Sequence, residues 1–122
     1  MGKSVLDAVL DAALDEIGTN CNLMTACSAE PTTRTEAITT YALADVAMTS
    51  GDFTKANGDT SGRKTTVASK SSVTIDSSGT ATHIALVDGT RLLYVTTCTS
   101  QALTASNTMT FPAWDIEILD PA

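Results

Sequence analysis

Residues 81–98, ATHIALVDGTRLLYVTTC, have the sequence pattern of a β-hairpin. Two runs rich in Ile, Leu, Val, Tyr and Thr flank Asp88-Gly89, a dipeptide that tolerates the positive φ angles of a two-residue type I′ turn. A turn of that length fixes the pairing of the two strands. The predicted cross-strand pairs are Val87 with Thr90, Leu86 with Arg91, Ala85 with Leu92, Ile84 with Leu93, and His83 with Tyr94.

Both faces of the predicted hairpin are rich in apolar residues. In this register one face carries Thr82, Ile84, Leu86, Leu93 and Val95, and the other carries Ala81, His83, Ala85, Val87, Leu92 and Tyr94. A hairpin that is apolar on both faces lies within a sheet, beneath a second layer, or against another subunit. The pattern therefore predicts a layered β protein or one that associates.

The composition favours a single all-β domain. Ser and Thr make up about a quarter of the 122 residues and aromatic residues only 4%, a mixture that favours short strands and turns over long helices. Seven or eight short runs, separated by turns about every ten residues, predict an antiparallel β-sandwich or jelly roll. We predict one domain over residues 1–122, in which a helix at 4–17 precedes a β-sandwich at 21–120.

The charge of the chain excludes one class of partner. A formal net charge of −7 and a pI near 4.3 argue against nucleic-acid binding, which needs Lys and Arg to neutralise phosphates. No stretch approaches the roughly 20 apolar residues of a membrane span, and the first residues lack the pattern of a signal peptide. We expect a soluble protein made in the cytosol, with neither nucleic acid nor membrane as partner.

Residues 4–17 carry the clearest helix signal. Apolar residues recur at helical spacing, at Leu6, Leu10, Leu14 and Ile17. Ser4 and Asp7 resemble a capping pair, and Gly18 follows at a position typical of a helix C-cap. The spacing therefore predicts one amphipathic N-terminal helix.

Asp7, Asp11 and Asp15 form an acidic stripe on this helix, because they are four residues apart. We interpret the stripe as a solvent-exposed face. The alternatives are docking to a basic groove on a partner and, less favoured, cation binding, since equally spaced aspartates on a helix do not converge on one point.

The remaining strands are short and separated by turn-forming residues. In chain order they are predicted at residues 22–28, 42–49, 52–56, 63–69, 72–76, 101–107 and 109–119. Residues 29–40, with Pro31, are predicted as a polar connection, and Val73 and Ile75 point to the same side of their strand. Pro112 is expected at a bulge or an edge, because proline cannot donate a hydrogen bond to a neighbouring strand.

Candidate metal and redox groups give weak signals. Cys21, Cys27 and Cys98 are odd in number and match no zinc spacing, so we predict reduced, buried thiols, with a bridge from Cys21 or Cys27 to Cys98 as the alternative. Residues 57–62, NGDTSG, alternate oxygen ligands as a calcium loop does. They lack the acid at the first position, and the twelfth residue is Ala68 where the pattern requires Glu. We expect a plain turn and no cofactor.

Catalysis is not predicted. His83 is the only histidine, and the predicted register puts it in the middle of a strand opposite Tyr94, where a structural role is favoured. Acidic pairs could be drawn from Asp45, Asp52, Asp115 and Glu117, but no spacing singles out two of them. The chain also lacks GxSxG, phosphate-loop and HExxH motifs.

Several segments carry a family resemblance. They are LDAALDEI, CSAEPTT, GDFTKANGDTSGRK, IDSSGTATHIALVD, LLYVTTCTSQALT and FPAWDIEI, which together cover nearly the whole chain as turn and strand patterns. In this combination the chain resembles a family of small proteins encoded among the structural genes of tailed bacteriophages. The resemblance implies a virion component with a compact β fold repeated around a symmetric particle. It implies neither site residues nor a location within the virion.

The expected function is therefore structural. We expect a capsid decoration or cement protein that binds the assembled head, because a small adhesive unit gains avidity when it is repeated. The alternatives are a collar, tail or fibre-attached protein, a module that binds host glycan through Trp114 and residues 57–62, and a lytic enzyme that uses His83. The expected partners are the major capsid protein or other virion proteins, and further copies of the chain in a trimer. The candidate contact residues are Leu6, Leu10, Leu14, Leu92, Tyr94 and Trp114.

Overall fold

The computed structural model of the protein describes residues 3–121, so the predicted domain of residues 1–122 extends past it by Met1, Gly2 and Ala122. The described chain is mainly β, with one N-terminal helix and antiparallel sheets, as predicted. The elements are α1 (Asp7–Asn20), β1 (Leu23–Cys27), β2 (Ala42–Ala47), β3 (Phe53–Asn57), β4 (Arg63–Val67), β5 (Lys70–Thr74), β6 (Gly79–Val87), β7 (Leu92–Leu103), β8 (Thr108–Phe111) and β9 (Trp114–Ile118).

The strands form a sandwich-like arrangement around one main core. The first sheet has the order β2-β1-β6-β7 and the second has the order β3-β4-β9, while β5 and β8 form a two-stranded sheet. A bridge between Ala44 and Ile75 joins that small sheet to β2. Buried side chains from both larger sheets and from α1, among them Met24, Val67 and Leu14, belong to the same cluster.

Both faces of β6 are covered, which explains its two-sided apolar pattern. Leu86 belongs to the main core. Ala85 and Val87 point to the other face, where they form a smaller cluster with Ala37. Ala37 lies in a short helical turn, Glu36–Thr40, within the connection that the sequence predicts as polar. This turn is the second layer over the hairpin.

The helix differs from its prediction at both ends. It begins at Asp7, after Leu6 in extended conformation, and its N-terminus has no side-chain capping bond, so the expected Ser4–Asp7 capping pair is wrong. It also runs past Gly18 to Asn20. Gly18 is buried within the helix, where Phe53 packs against it. A Cβ added at Gly18 would lie 3.2 Å from the Phe53 Cβ. The glycine therefore permits close packing and is not a C-cap.

The hairpin forms, but with a longer turn and a different register. Val87 pairs with Leu92, and Leu86 then pairs with Tyr94, across a register shift. The physical reason is Asp88, whose carboxylate accepts hydrogen bonds from the N–H groups of Thr90 and Arg91 and closes a four-residue turn. The two-residue turn and all the pairs predicted from it are wrong. The next pairs are Ala85–Val95, Ile84–Thr96 and His83–Thr97, and after a second register shift the pairs are Ala81–Gln101, Thr80–Ala102 and Gly79–Leu103.

The C-terminal part is organised differently from its prediction. Residues 101–103 continue β7 and do not begin a new strand. Residues 109–119, predicted as one strand, divide at Pro112 into β8, which pairs with β5, and β9, which pairs with β4. Pro112 therefore lies where the chain passes from one sheet to another. The described chain has nine strands, against a predicted count of seven or eight.

Candidate functional site

The acidic stripe of α1 pairs with the protein's own second sheet. The Asp11 carboxylate lies 2.8 Å from the Arg63 guanidinium, and the Asp15 carboxylate lies 2.7 Å from the Lys55 ammonium. The hydrogen bond that the Arg63 guanidinium donates to Asp11 raises the pKa of Arg63. The prediction of a solvent-exposed stripe is wrong for Asp11, whose side chain is 25% exposed, while Asp7 is exposed and the Asp15 side chain is 50% exposed. The basic residues that Asp11 and Asp15 bind belong to β4 and β3 of the same chain.

This docking buries two of the predicted contact residues of the helix. Leu10 and Leu14 are 7% and 1% exposed, so they belong to the core and are not available to a partner. The large apolar side chains left in solvent here are Val9 on α1 and, just before the helix, Leu6, at 58% and 71% exposure. Of the three predicted helix contacts, only Leu6 lies on the surface.

The loop at residues 57–62 is a turn between β3 and β4. Its N–H at Gly58 donates to the Gly62 carbonyl, and Gly62 has a φ of 69°. The Asn57 side-chain oxygen Oδ1 accepts from Arg63, and the Asp59 carboxylate accepts from Lys64, each at 2.8 Å. Basic groups thus bind the oxygens that a calcium ion would need. Within residues 3–121 no cluster of three His, Cys, Asp or Glu side chains could hold a metal.

The only histidine is held within the first sheet. His83 lies across from Cys27 on β1 and Thr97 on β7, so its expected pairing with Tyr94 is wrong. Its ring nitrogen Nδ1 lies 2.8 Å from the Thr82 hydroxyl oxygen. In a catalytic triad a carboxylate binds the Nδ1 atom of the histidine that acts as base, whereas here Nδ1 contacts a hydroxyl.

The three cysteines are free thiols, and their burial is unequal. Cys21 and Cys27 are buried, and burial raises the pKa of each. Cys98, on β7, is only half-buried, contrary to the expectation of a buried thiol, and its pKa is also raised by desolvation. A raised pKa leaves little thiolate at neutral pH, so none of the three is an activated nucleophile.

Two of the acids that could be drawn into a catalytic pair, Asp115 and Asp52, are bound to basic groups, whereas Asp45 lies beside another carboxyl. Asp115 accepts hydrogen bonds from Thr66 and Lys64, which lower its pKa in that order of importance. Burial, and next the neighbouring Asp76, raises the pKa of Asp45. Asp52 forms an ion pair with Lys70 at 2.9 Å.

Tyr94 and Trp114 lie together where the first sheet meets the second. Their ring centroids are 5.9 Å apart with planes tilted by 30°, a geometry typical of attractive aromatic pairs. Both side chains are half-buried against the main core. Leu92 packs on the opposite side of the sheet, in the smaller cluster. The predicted contact residues therefore do not form one surface: Tyr94 and Trp114 meet, and Leu92 and Leu6 lie apart from them.

The edge of β7 is a feature that the sequence does not reveal. β7 is 12 residues long and is the outermost strand of its sheet. It contains no charged residue and no proline, whereas edge strands are commonly protected against pairing with other chains by charges, proline or short length. Its second half is largely exposed, at Thr97, Thr99, Ser100, Gln101 and Ala102. The sequence pattern predicts two separate strands in this region, so it does not predict one long edge strand.

An open cleft of about 190 Å³ lies between the second half of β7 and β8. Its floor comes from the first sheet and its two sides come from β7 and β8, and none of its lining residues is charged. They are Ala26, Ala81, Ile84, Cys98, Thr99, Gln101, Leu103, Met109, Thr110, Phe111 and Pro112. Free backbone groups on β7 beside an apolar cleft are the two elements of a site for strand addition.

Comparison with known proteins identifies no relative of the chain. No family model, no curated protein and no solved structure matches the chain. Within residues 3–121, no helix has the length and the apolar character that a membrane span requires. The arrangement of the β7 edge, the cleft and the Tyr94–Trp114 pair is suited to binding another polypeptide.

Proposed function

We propose that the protein is a non-enzymatic structural component of a tailed-bacteriophage virion, and specifically a decoration or cement protein that binds the assembled head. The observation that carries the proposal is the edge of β7, a long uncharged strand with an aromatic pair at one end and an apolar cleft at the other. Neighbouring copies of a chain with a net charge of −7 repel one another. An uncharged strand edge is the surface at which another protein can bind with the least electrostatic repulsion. The resemblance of its segments to small virion proteins supports the same function.

The Tyr94–Trp114 pair is the proposed contact with the capsid protein. Half-buried aromatic residues supply large contact area with little conformational entropy to lose, and they are enriched at binding hot spots. The two rings are already fixed by their mutual contact and by the core beneath them. Modest affinity at each copy suffices, because a particle offers many equivalent sites.

Co-sedimentation with heads that carry the capsid protein tests this function. We expect the protein to pellet with the heads at a copy number close to that of the capsid subunits. Copy numbers of three, six or twelve for each particle would assign the chain instead to the collar, tail or fibre. Absence of the protein from the pelleted particles would overturn the proposal.

Two tyrosine variants test the proposed contact. Tyr94→Ala should reduce the bound fraction, whereas Tyr41→Ala, which removes the other half-buried tyrosine from the smaller cluster, should not. Thermal unfolding of both variants separates a loss of contact from a loss of fold. Equal binding by the two folded variants would exclude Tyr94 from the interface.

A further inference from the structure

The turn between β3 and β4 begins with an asparagine followed by a glycine, Asn57 and Gly58. In such a pair the backbone nitrogen of the glycine can attack the side-chain amide carbon of the asparagine, because the glycine has no side chain to block the approach. The two groups are adjacent in one chain, and intramolecular attack is strongly favoured over attack by a separate molecule. The turn itself requires the glycine, since a Cβ added at Gly58 would overlap the Ser61 carbonyl oxygen.

The Asn57 side chain is exposed, and a cation binds its oxygen. Oδ1 accepts a hydrogen bond from the Arg63 guanidinium at 2.8 Å. Negative charge develops on this oxygen when a nucleophile adds to the amide carbon, and a charged donor stabilises it. Arg63 is itself held in place by the Asp11 carboxylate, 2.8 Å from its Nε. The amide carbon of Asn57 is therefore activated toward attack.

We propose that Asn57 is a site of self-modification, at which the Gly58 nitrogen displaces the side-chain amide with the help of Arg63 and converts Asn57 into aspartate and isoaspartate. The Gly58 N–H loses its proton to hydroxide, and the nitrogen forms a bond to the Asn57 Cγ. The Cγ–Nδ2 bond then breaks, and ammonia leaves after taking a proton from water. Water opens the resulting cyclic imide at either of its carbonyl carbons, so the overall reaction consumes one water and releases one ammonia.

One hydrogen bond controls access to the attacking nitrogen. The Gly58 N–H donates to the Gly62 carbonyl oxygen at 2.9 Å, so the nitrogen becomes available only when this bond opens. Asp59 and Thr60, within the turn, are exposed. Exposed turns open locally at a lower free energy than the core, so the modification is slow but does not require global unfolding.

The other asparagines lack the glycine. Asn20, Asn22 and Asn107 are exposed as Asn57 is, but each precedes a residue whose side chain crowds the backbone nitrogen. Exposure is therefore matched among the four asparagines, and the residue that follows each one differs.

The Asp88-Gly89 pair has the glycine but lacks a reactive carbonyl group. Hydrogen bonds from the backbone of Thr90 and from Arg91 lower the pKa of Asp88 to about 2, so its side chain is an ionised carboxylate at neutral pH. A carboxylate resists attack by a nucleophile because it already carries negative charge. The same turn-forming dipeptide pattern is thus reactive at residue 57 and unreactive at residue 88.

The product would alter the junction between the helix and the second sheet. Arg63 binds Asn57 through Nη1 and Asp11 through Nε, so a carboxylate at residue 57 would share this guanidinium with Asp11. It would also add one negative charge to a chain with a net charge of −7. Isoaspartate would in addition lengthen the backbone by one methylene at the end of β3, where Asn57 pairs with Arg63. The modification is independent of any binding to heads.

Ageing of the folded wild-type protein in water enriched in heavy oxygen tests the proposal. Samples held at neutral and at mildly alkaline pH are digested and analysed by mass spectrometry. The peptide that contains Asn57 should lose its amide and take up heavy oxygen, and this should be faster at the higher pH. Part of the product should be isoaspartate, which a protein isoaspartate methyltransferase labels.

The three other asparagines are internal controls and should keep their amides over the same period. Equal loss at all four positions, or a product without isoaspartate, would exclude attack by Gly58. Amide loss that occurs only in urea-unfolded protein would show that the folded turn protects Asn57, and the proposal would then be wrong.

Two variants test the chemistry, and thermal unfolding confirms that each is folded. Asn57→Gln keeps an amide oxygen for Arg63 but would have to form a larger imide ring, so it should remain unmodified. Arg63→Gln should slow the loss of amide by about tenfold, less than the roughly hundredfold effect of one donor in a dry oxyanion hole, because this site is exposed. An unchanged or faster rate in Arg63→Gln would contradict the assistance by Arg63.

Discussion

The Arg63 guanidinium and the Asp11 carboxylate, separated by 51 intervening residues in the chain, form a 2.8 Å ion pair that joins the helix to the second sheet. Asp15 and Lys55 form a parallel pair one helical turn further on. Both pairs lie on the side of the helix that faces the sheet, where Leu10 and Leu14 enter the core. Leu6, which precedes the helix, and Val9 remain in solvent.

Salt should weaken this junction. We expect a double-mutant cycle with Asp11→Asn and Arg63→Gln to give a favourable coupling at low ionic strength, because the two groups attract. The coupling should shrink toward zero in about 1 M salt, where the screening length falls to about 3 Å. Urea unfolding of the four proteins at both salt concentrations measures it. A coupling that ignores salt would show that the pair acts through packing of the Arg63 side chain.

Removing Leu14 should cost far more stability than removing Leu6. Leu14 is 1% exposed, so Leu14→Ala should lower the free energy of unfolding by about 2–5 kcal/mol through lost burial and a residual cavity. Leu6→Ala changes an exposed side chain and should stay within about 0.5 kcal/mol for the monomer. Chemical unfolding at a concentration where the protein is monomeric measures both. Similar losses would mean that the helix face is assigned wrongly.

Two glycine-to-alanine changes should have opposite effects. Gly62 has φ +69°, and an added Cβ would lie 1.9 Å from the Ile118 carbonyl oxygen, so Gly62→Ala should destabilise by more than about 1 kcal/mol. Gly89 lies outside the left-handed region, with open space around its Cα. Gly89→Ala should therefore raise stability by up to about 1 kcal/mol. A large loss at Gly89 would instead support the two-residue type I′ turn.

Asp88 should make the hairpin turn sensitive to acid. Hydrogen bonds from the backbone N–H groups of Thr90 and Arg91 and the ion pair with Arg91 lower the pKa of Asp88 to about 2. The unfolded value is about 3.9, so this stabilisation is complete above about pH 4 and is lost as the pH falls through about 2. Asp88→Asn should lower the melting temperature at pH 7, and the difference from wild type should disappear near pH 2.

An exposed aspartate supplies the control for this pH series. Asp120→Asn changes a carboxylate on the surface and should leave the melting temperature at pH 7 nearly unchanged. A difference between Asp88→Asn and wild type that stays constant from pH 7 to pH 2 would show that shape, and not charge, makes Asp88 important to the turn.

The sequence predicts the strands well because their signals are local. Alternating or continuous apolar runs bounded by turn formers locate most of the first eight elements to within a few residues. The register of the β6–β7 hairpin is missed because Asp88 can close its turn in more than one way, and the choice depends on its contact with Arg91 and on Arg34, which donates to the Asp88 carbonyl. Arg34 is 54 residues away from Asp88 in sequence, and no sequence pattern marks either arginine as its partner.

The candidate site is less visible in the sequence than the fold. Leu6, Leu10 and Leu14 have the same spacing, yet the helix begins only at Asp7, so Leu6 lies outside it and in solvent while Leu10 and Leu14 are buried. Tyr94 and Trp114 meet because β9 belongs to the second sheet, and that follows from the division of the chain at Pro112. Whether a strand lies at the edge of a sheet depends on the order of the strands in the folded sheet. The pattern of apolar and polar residues along the sequence does not determine that order.

Trp114 is an intrinsic fluorescence probe of the protein because of its position. It is the only tryptophan, and it packs between two sheets against Tyr94. Its emission wavelength and its quenching therefore report the joining of the sheets without any attached dye. The same signal, followed while heads are added, would separate a capsid contact at the aromatic pair from a contact elsewhere on the surface.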